Sequence, residues 1–221
     1  ENIKTYASLE EMVSEDEKDV IWVMLPAGRI TNSVLCELSN LCKEGDIVID
    51  GGNSDHRDSL KTAEQMEKKG IYFFDIGTSG GVYGARHGAS FMCGGDPEVF
   101  KNDLQEMLES IATTNGCLYT GKTGSGHYLK MIHNAMLYGY MQTLGEGFEL
   151  LEKSEFDYDL EKVADSLSKS SVIRGWLLEL AANAFRKDPD LEKIKGVVGA
   201  SKTTGWTIES ACELGVPIPV I

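Results

Sequence analysis

An α/β domain built on a mostly parallel sheet, followed by an all-helical domain, is the fold class that this 221-residue sequence predicts. Three observations carry the prediction. In the first half, continuous apolar runs end in glycine-rich turns and give way to segments of helical spacing, which is the grammar of βαβ units. Those runs do not alternate with polar residues, so they read as strands buried on both faces, and such strands pair mostly in parallel under a cover of helices. From Gly124 onward the apolar period stays helical, with no convincing strand.

Taken in order, residues 1–19 are polar with helical character. VIWVML (20–25) is a strand closed by Pro26-Ala27-Gly28, and ITNSVLCELSNLC has helical spacing. DIVIDGGNS is a short strand ending in glycines, residues 58–69 are a charged helix, and IYFFDIGTSGG is a strand running into a glycine-rich loop. ASFMCGG is a further short strand. PEVFKNDLQEMLESI then opens with Pro97, which suits the first turn of a helix. The turns PAG, GGNS and TSGG should line up along the carboxyl edge of the sheet, where ligands bind in open α/β folds. In the second half, SGHYLKMIHNAMLYGYMQTLGEGFELLEK predicts a helix of nearly thirty residues, with further helices near 159–170, 172–187 and 204–214. The expected domains are therefore 1–123 and 124–221.

Composition limits the partners. Asp and Glu outnumber Lys and Arg by 35 to 21, a net charge of −14, which argues against nucleic acid or an anionic membrane surface as the main partner. No apolar run reaches the roughly 20 residues that span a bilayer. The five cysteines, Cys36, Cys42, Cys93, Cys117 and Cys212, lack paired metal-ligand spacing, so they read as reduced thiols of a cytoplasmic protein and no metal site is expected.

The stretch KMIHNAMLYG concentrates the chemistry. On a helix, Lys130, His133, Asn134, Leu137 and Tyr138 fall at i, i+3, i+4, i+7 and i+8, a single stripe about two turns long. An amine, an imidazole, a carboxamide and a phenol on one stripe make either a partly buried helix with satisfied polar groups or the wall of an active site.

The motifs VIWVMLPAG, GDIVIDGGNS, DIGTSGGVYGARHGASFMCGGD, GSGHYLKMIHN, SVIRGWLLEL and WTIESACELGVP, in that order along the whole chain, resemble 6-phosphogluconate dehydrogenase in its short bacterial form. The resemblance implies a Rossmann-type NAD(P)-binding domain over 1–123 and a helical substrate-binding and dimerisation domain over 124–221. It also implies oxidation of a 3-hydroxy acid with loss of carbon dioxide to give ribulose 5-phosphate. NAD or NADP is the implied cofactor, NAD being usual for the short form. A sugar phosphate is the implied substrate, and a homodimer or higher homo-oligomer the implied assembly.

Position by position, the resemblance makes Lys130 the general base. A lysine can remove a hydroxyl proton only when burial or neighbouring positive charge lowers its pKa. His133 and Asn134 match residues holding the substrate's hydroxyl and carboxylate, and Tyr138 one that contacts its phosphate. Asn53 matches a residue touching both nicotinamide and sugar. Ser79, Gly80 and Gly81 match the loop that grips the carboxylate, and Leu25, Pro26 and Ala27 the loop bordering the cofactor. Lys202, in ASKTTGWT, stands for a substrate-binding lysine. His56, His87 and His127 receive no role.

The sequence also departs from the family pattern. Leu137 occupies the position of the glutamate that protonates the enol, and a leucine cannot donate a proton. The GxGxxG turn of a dinucleotide-binding unit is expected before residue 1, and the phosphate-binding arginines after Ile221, so both domains are expected to be partial here. Two alternatives follow: a related β-hydroxyacid dehydrogenase acting on a smaller acid, and a non-catalytic homologue that binds a sugar acid.

Overall fold

The computed structural model describes residues 3–13, 17–197, 199 and 202–221. The chain divides into two compact units, Glu1–His133 and Asn134–Ile221. The first contains α1 (Leu9–Met12), β1 (Val20–Val23), α2 (Arg29–Leu41), β2 (Ile47–Asp50), α3 (His56–Glu67), β3 (Tyr72–Ser79), α4 (Gly81–His87) and β4 (Ala89–Gly94). It continues with α5 (Pro97–Val99), a π-helical stretch (Phe100–Leu104), α6 (Gln105–Ile111), β5 (Ala112–Gly121) and the start of α7 (Ser125–Glu152).

The sheet runs β1-β2-β3-β4-β5. β1, β2 and β3 are parallel, whereas β4 runs antiparallel to β3 and parallel to β5. The expected burial on both faces is present. Ile47, Ile49, Phe74, Ile76, Phe91 and Cys93 pack with Phe100, Leu104 and Leu108 on one side, while Val23, Val48 and Phe73 pack with Leu35, Leu38 and Met66 on the other. Alternation along each strand sends successive residues into the two layers, which is why no polar alternation was visible in the sequence. Asp55 and Asp96 cap their helices, accepting from Arg57 N at 3.0 Å, and from Glu98 N and Val99 N at 2.9 Å each.

Three expectations need correction. Helix within residues 1–19 is confined, among the described residues, to Leu9–Met12, because that stretch has too few apolar positions to pack a longer one. The helix expected over 97–111 is interrupted by the π-helical stretch, which turns Phe100 and Leu104 both into the core. β5 was not anticipated; after Ala112 its next residues, Thr113, Thr114 and Asn115, are polar and exposed.

In the second unit, α8 (Leu160–Ser170) and α9 (Trp176–Lys187) pack through Ala164, Ala182 and Phe185 against Phe148 of α7. The Phe148 and Phe185 rings lie 5.1 Å apart, and Arg186 Nε donates to Glu161 Oε1 at 2.7 Å. α10 (Lys202–Leu214) completes the helical set among the described residues. No helix among the described residues is long and apolar enough to cross a membrane.

Candidate active site

Because β1, β2 and β3 are parallel, the loops following them share one edge of the sheet. Leu25, Pro26 and Ala27 leave β1 there, and Gly52 crowds them: an added Cβ would lie 2.5 Å from Leu25 O. Asn53 adopts a left-handed backbone, φ 56°, a conformation asparagine tolerates better than most residues. Its amide spans to the next strand, Oδ1 accepting from Thr78 N at 2.9 Å and Nδ2 donating to Thr78 O at 3.2 Å. Asn53 therefore holds the end of β3 in place, a task that sequence reading missed. Ser79 ends β3, and Gly80 and Gly81 turn the chain into α4 with φ of 122° and 55°. Among the described residues nothing lies within 4 Å of a Cβ added at Gly81, so the turn is open to them on that side.

Helix α7 meets the sheet through glycines. A Cβ on Gly126 would fall 2.2 Å from Asp75 O and 2.3 Å from Met92 O, and one on Gly94 2.8 Å from Gly126 N. Backbone thus packs on backbone. One turn later, a Cβ on Gly77 would fall 2.5 Å from Lys130 Cβ. This contact buries Lys130 to 6% exposure, with Nζ 3.5 Å from His133 Nδ1, at the outer limit of a hydrogen bond. Burial pushes the amine's pKa down to about 8, so an appreciable fraction is neutral near physiological pH. That is the state a base requires.

One turn before Lys130, at the start of α7, lies a buried polar group of residues that the sequence did not reveal. Asp75 is fully buried and accepts from Gly124 N at 2.6 Å and His127 N at 2.7 Å. Burial raises its pKa to about 7, the two amides oppose that rise, and the charge of Asp50 adds to it. His127 is 1% exposed, shares a hydrogen bond of 2.8 Å with Ser59 Oγ through Nδ1, and its Nε2 has no hydrogen-bond partner among the described residues. Burial lowers its pKa, so it stays neutral. The signals available were a lone acid inside IYFFDIG and a histidine at the start of a helix. No group of three or more His, Cys, Asp or Glu that could hold a metal occurs among the described residues, and the five cysteines are free thiols.

The remaining predicted residues belong to the second unit. Asn134 and Leu137 are half-buried on α7, Tyr138 is 39% exposed, and Lys202 is exposed at the first position of α10. In the first unit the structure brings together Asn53 with the β3 end, and Lys130 with His133 and Gly77. Gly77→Ala should test that seat. Its methyl would meet Lys130 Cβ and, at 2.9 Å, Gly126 O, neither of which can swing away. A loss of about 1–3 kcal/mol in denaturant unfolding is expected, together with a lowered turnover number. Full stability in the variant would mean that the helix is not seated as described.

The NAD binding domain of 6-phosphogluconate dehydrogenase matches residues 1–121, and the C-terminal domain of 6-phosphogluconate dehydrogenase matches 126–221. YqeC of Bacillus subtilis is 48% identical over 202 residues, which are 91% of this chain and 67% of that protein. The NAD(+)-dependent, decarboxylating 6-phosphogluconate dehydrogenase of Haloferax volcanii is 41% identical over 217 residues, 97% of this chain and 71% of that one. The solved Plasmodium falciparum 6-phosphogluconate dehydrogenase superposes with a TM-score of 0.86 at 30% identity, covering 97% of this chain and 48% of that chain. The chain thus spans about two thirds of its shorter relatives and about half of the longer one.

Proposed function

The chain belongs to the 6-phosphogluconate dehydrogenase family, an oxidoreductase family, and from that premise we propose that the full-length protein converts 6-phosphogluconate to ribulose 5-phosphate and carbon dioxide with NAD or NADP. The observation that carries this reading is the buried amine of Lys130, with a pKa pushed to about 8, seated against Gly77 of β3. The functional division proposed is 1–123 for the cofactor and 124–221 for substrate and dimerisation. The first turns of α7 belong to the second by sequence, although they pack with the sheet. Cytoplasmic location and a homodimer formed through the helices are part of the same proposal.

The residues present fit the nicotinamide half of the cofactor. Leu25, Pro26 and Ala27 border it, and Asn53 offers it one amide N–H beside a backbone edge from which side chains are excluded at Gly52. When bound, the nicotinamide supplies the hydride acceptor. Neutral Lys130 takes the C3 hydroxyl proton as C3 becomes a ketone. The β-carboxylate can then leave, its electrons passing into an enolate whose oxygen the Lys130 ammonium stabilises. Ser79, Gly80 and Gly81 grip the carboxylate beforehand, and His133 and Asn134 orient hydroxyl and carboxylate. Tyr138 takes the phosphate end, and Lys202 is a further substrate-binding group. Leu137 leaves protonation of the enol carbon to water or to Tyr138.

The test compares kcat/KM for 6-phosphogluconate with that for small 3-hydroxy acids lacking phosphate, using the full-length protein. A preference for the sugar phosphate is expected; a preference for the small acids would favour the β-hydroxyacid dehydrogenase reading instead. The same assay should show kcat/KM rising with pH to a plateau above about 8, since the free enzyme's base must lose its proton first. A flat profile through that range would remove Lys130 from the role.

A further inference from the structure

Asp75 has no place in the chemistry above, yet it is the most deeply buried acid beside the site. A carboxyl group at 0% exposure in an apolar strand is costly unless its oxygens are bonded. Both are, and to one partner element. Gly124 N immediately precedes α7 and His127 N lies in its first turn, where backbone amides have no intrahelical acceptors. A helix is ordinarily capped by the residue just before it; here the cap comes from a strand 49 and 52 residues upstream.

The geometry of strand and helix links that cap to Lys130. Asp75 and Gly77 share one face of β3, about 7 Å apart, and α7 rises about 5.4 Å per turn. The carboxylate meets the helix at Gly124 and His127, and Gly77, one step along, meets it at Lys130 Cβ. Between the two points the contacts are Gly126 on Asp75 O and Met92 O, with Gly94 against Gly126 N. These closest approaches are backbone on backbone, which leaves little room for a displacement. A shift in the first turn of α7 is therefore expected to pass to Lys130, one turn further along the same helix.

We propose that Asp75 is a positioning residue for Lys130: its carboxylate pins the first turn of α7 to β3, and so fixes where the amine stands and how dry its surroundings are. The inference rests on the reading of Lys130 as the base. The groups facing Asp75 are Asp50 from β2, Cys93 from β4 and His127 from α7, and Ser125 Oγ lies with it around Gly94.

The experiment is an NMR titration of the carbon-ε resonance of Lys130 in the full-length protein, alongside the pH dependence of kcat. Asp75→Asn keeps the shape but turns an NH2 group toward a helix amide, so one of the two bonds is lost. The Lys130 midpoint, about 8 in the parent, is expected to move up by about one pH unit or more as water reaches the amine. The limb of the kcat profile should move with it, and KM should change little. If Asp75→Asn does not fold, Asp75→Ser retains one acceptor without added volume and is read in the same way. An unmoved Lys130 midpoint in a folded Asp75 variant overturns the proposal. A midpoint that moves while kcat and its profile stay put upholds the positioning and removes Lys130 as the base.

Discussion

Lys130→Met in the full-length protein should lower the hydride-transfer rate by about 10²- to 10⁴-fold, the usual contribution of a positioned base, and should at the same time make the protein more stable. The second half of the expectation comes from burial. An ordinary lysine near 10.5 is pushed to about 8, a difference worth on the order of 3 kcal/mol against the charged form. The folded chain holds this proton less tightly than the unfolded chain. Between pH 8 and 10.5 the unfolded chain therefore binds more protons, and stability rises with pH across that window. Below 8 the whole cost of burying an ammonium is present. Methionine fills a similar volume without the charge, so at neutral pH a gain of about 1–3 kcal/mol in denaturant unfolding is expected. Loss of rate with a gain of stability is the signature of a residue kept for chemistry. Loss of both would make Lys130 a structural residue, and loss of neither would remove it from the site.

Leu137→Glu should restore the step that this chain's pattern leaves without an acid. In the proposed mechanism oxidation uses Lys130, His133 and Asn134, whereas protonation of the enol carbon needs a nearby donor, and Leu137 is a half-buried hydrocarbon. If water and Tyr138 reach that carbon poorly, general acid catalysis of about 10²-fold is forfeited at that step in the parent. The variant should then release more ribulose 5-phosphate per reduced nicotinamide, and its turnover should rise. A parent that is already fully active and is slowed by glutamate would assign the acid role to another residue.

The fold was legible wherever burial left a period in the sequence. VIWVML, DIVID and IYFFDIG read as strands because both faces of β1, β2 and β3 are covered. The stripe Lys130, His133, Asn134 read as helix because α7 is long enough for its period to repeat. The direction of β4 was not legible, since apolar content is the same for either sense of pairing. β5 was hidden by its exposed start, where Asn115 takes a left-handed φ of 60°. Of the candidate site, the loops Leu25–Ala27, Asn53 and Ser79–Gly81 were visible as turn chemistry. The grip of Asn53 on Thr78 and the reach of Asp75 to the start of α7 were not, because each joins segments 25 to 52 residues apart. Local periodicity carries no record of such pairings. Gly77, inside a strand, and Gly126, inside a helix, carried no sequence signal of their own, and only the packed helix shows that they are needed for close approach.

The most direct measurement is the carbon dioxide released per nicotinamide reduced when the full-length protein is given 6-phosphogluconate with NAD or NADP. One carbon dioxide for each reduced nicotinamide, lost together in Lys130→Met, is the predicted result. Reduction without carbon dioxide would make the protein a simple hydroxyacid dehydrogenase, and binding of the sugar phosphate with no reduction at all would contradict the account of Lys130 as a base.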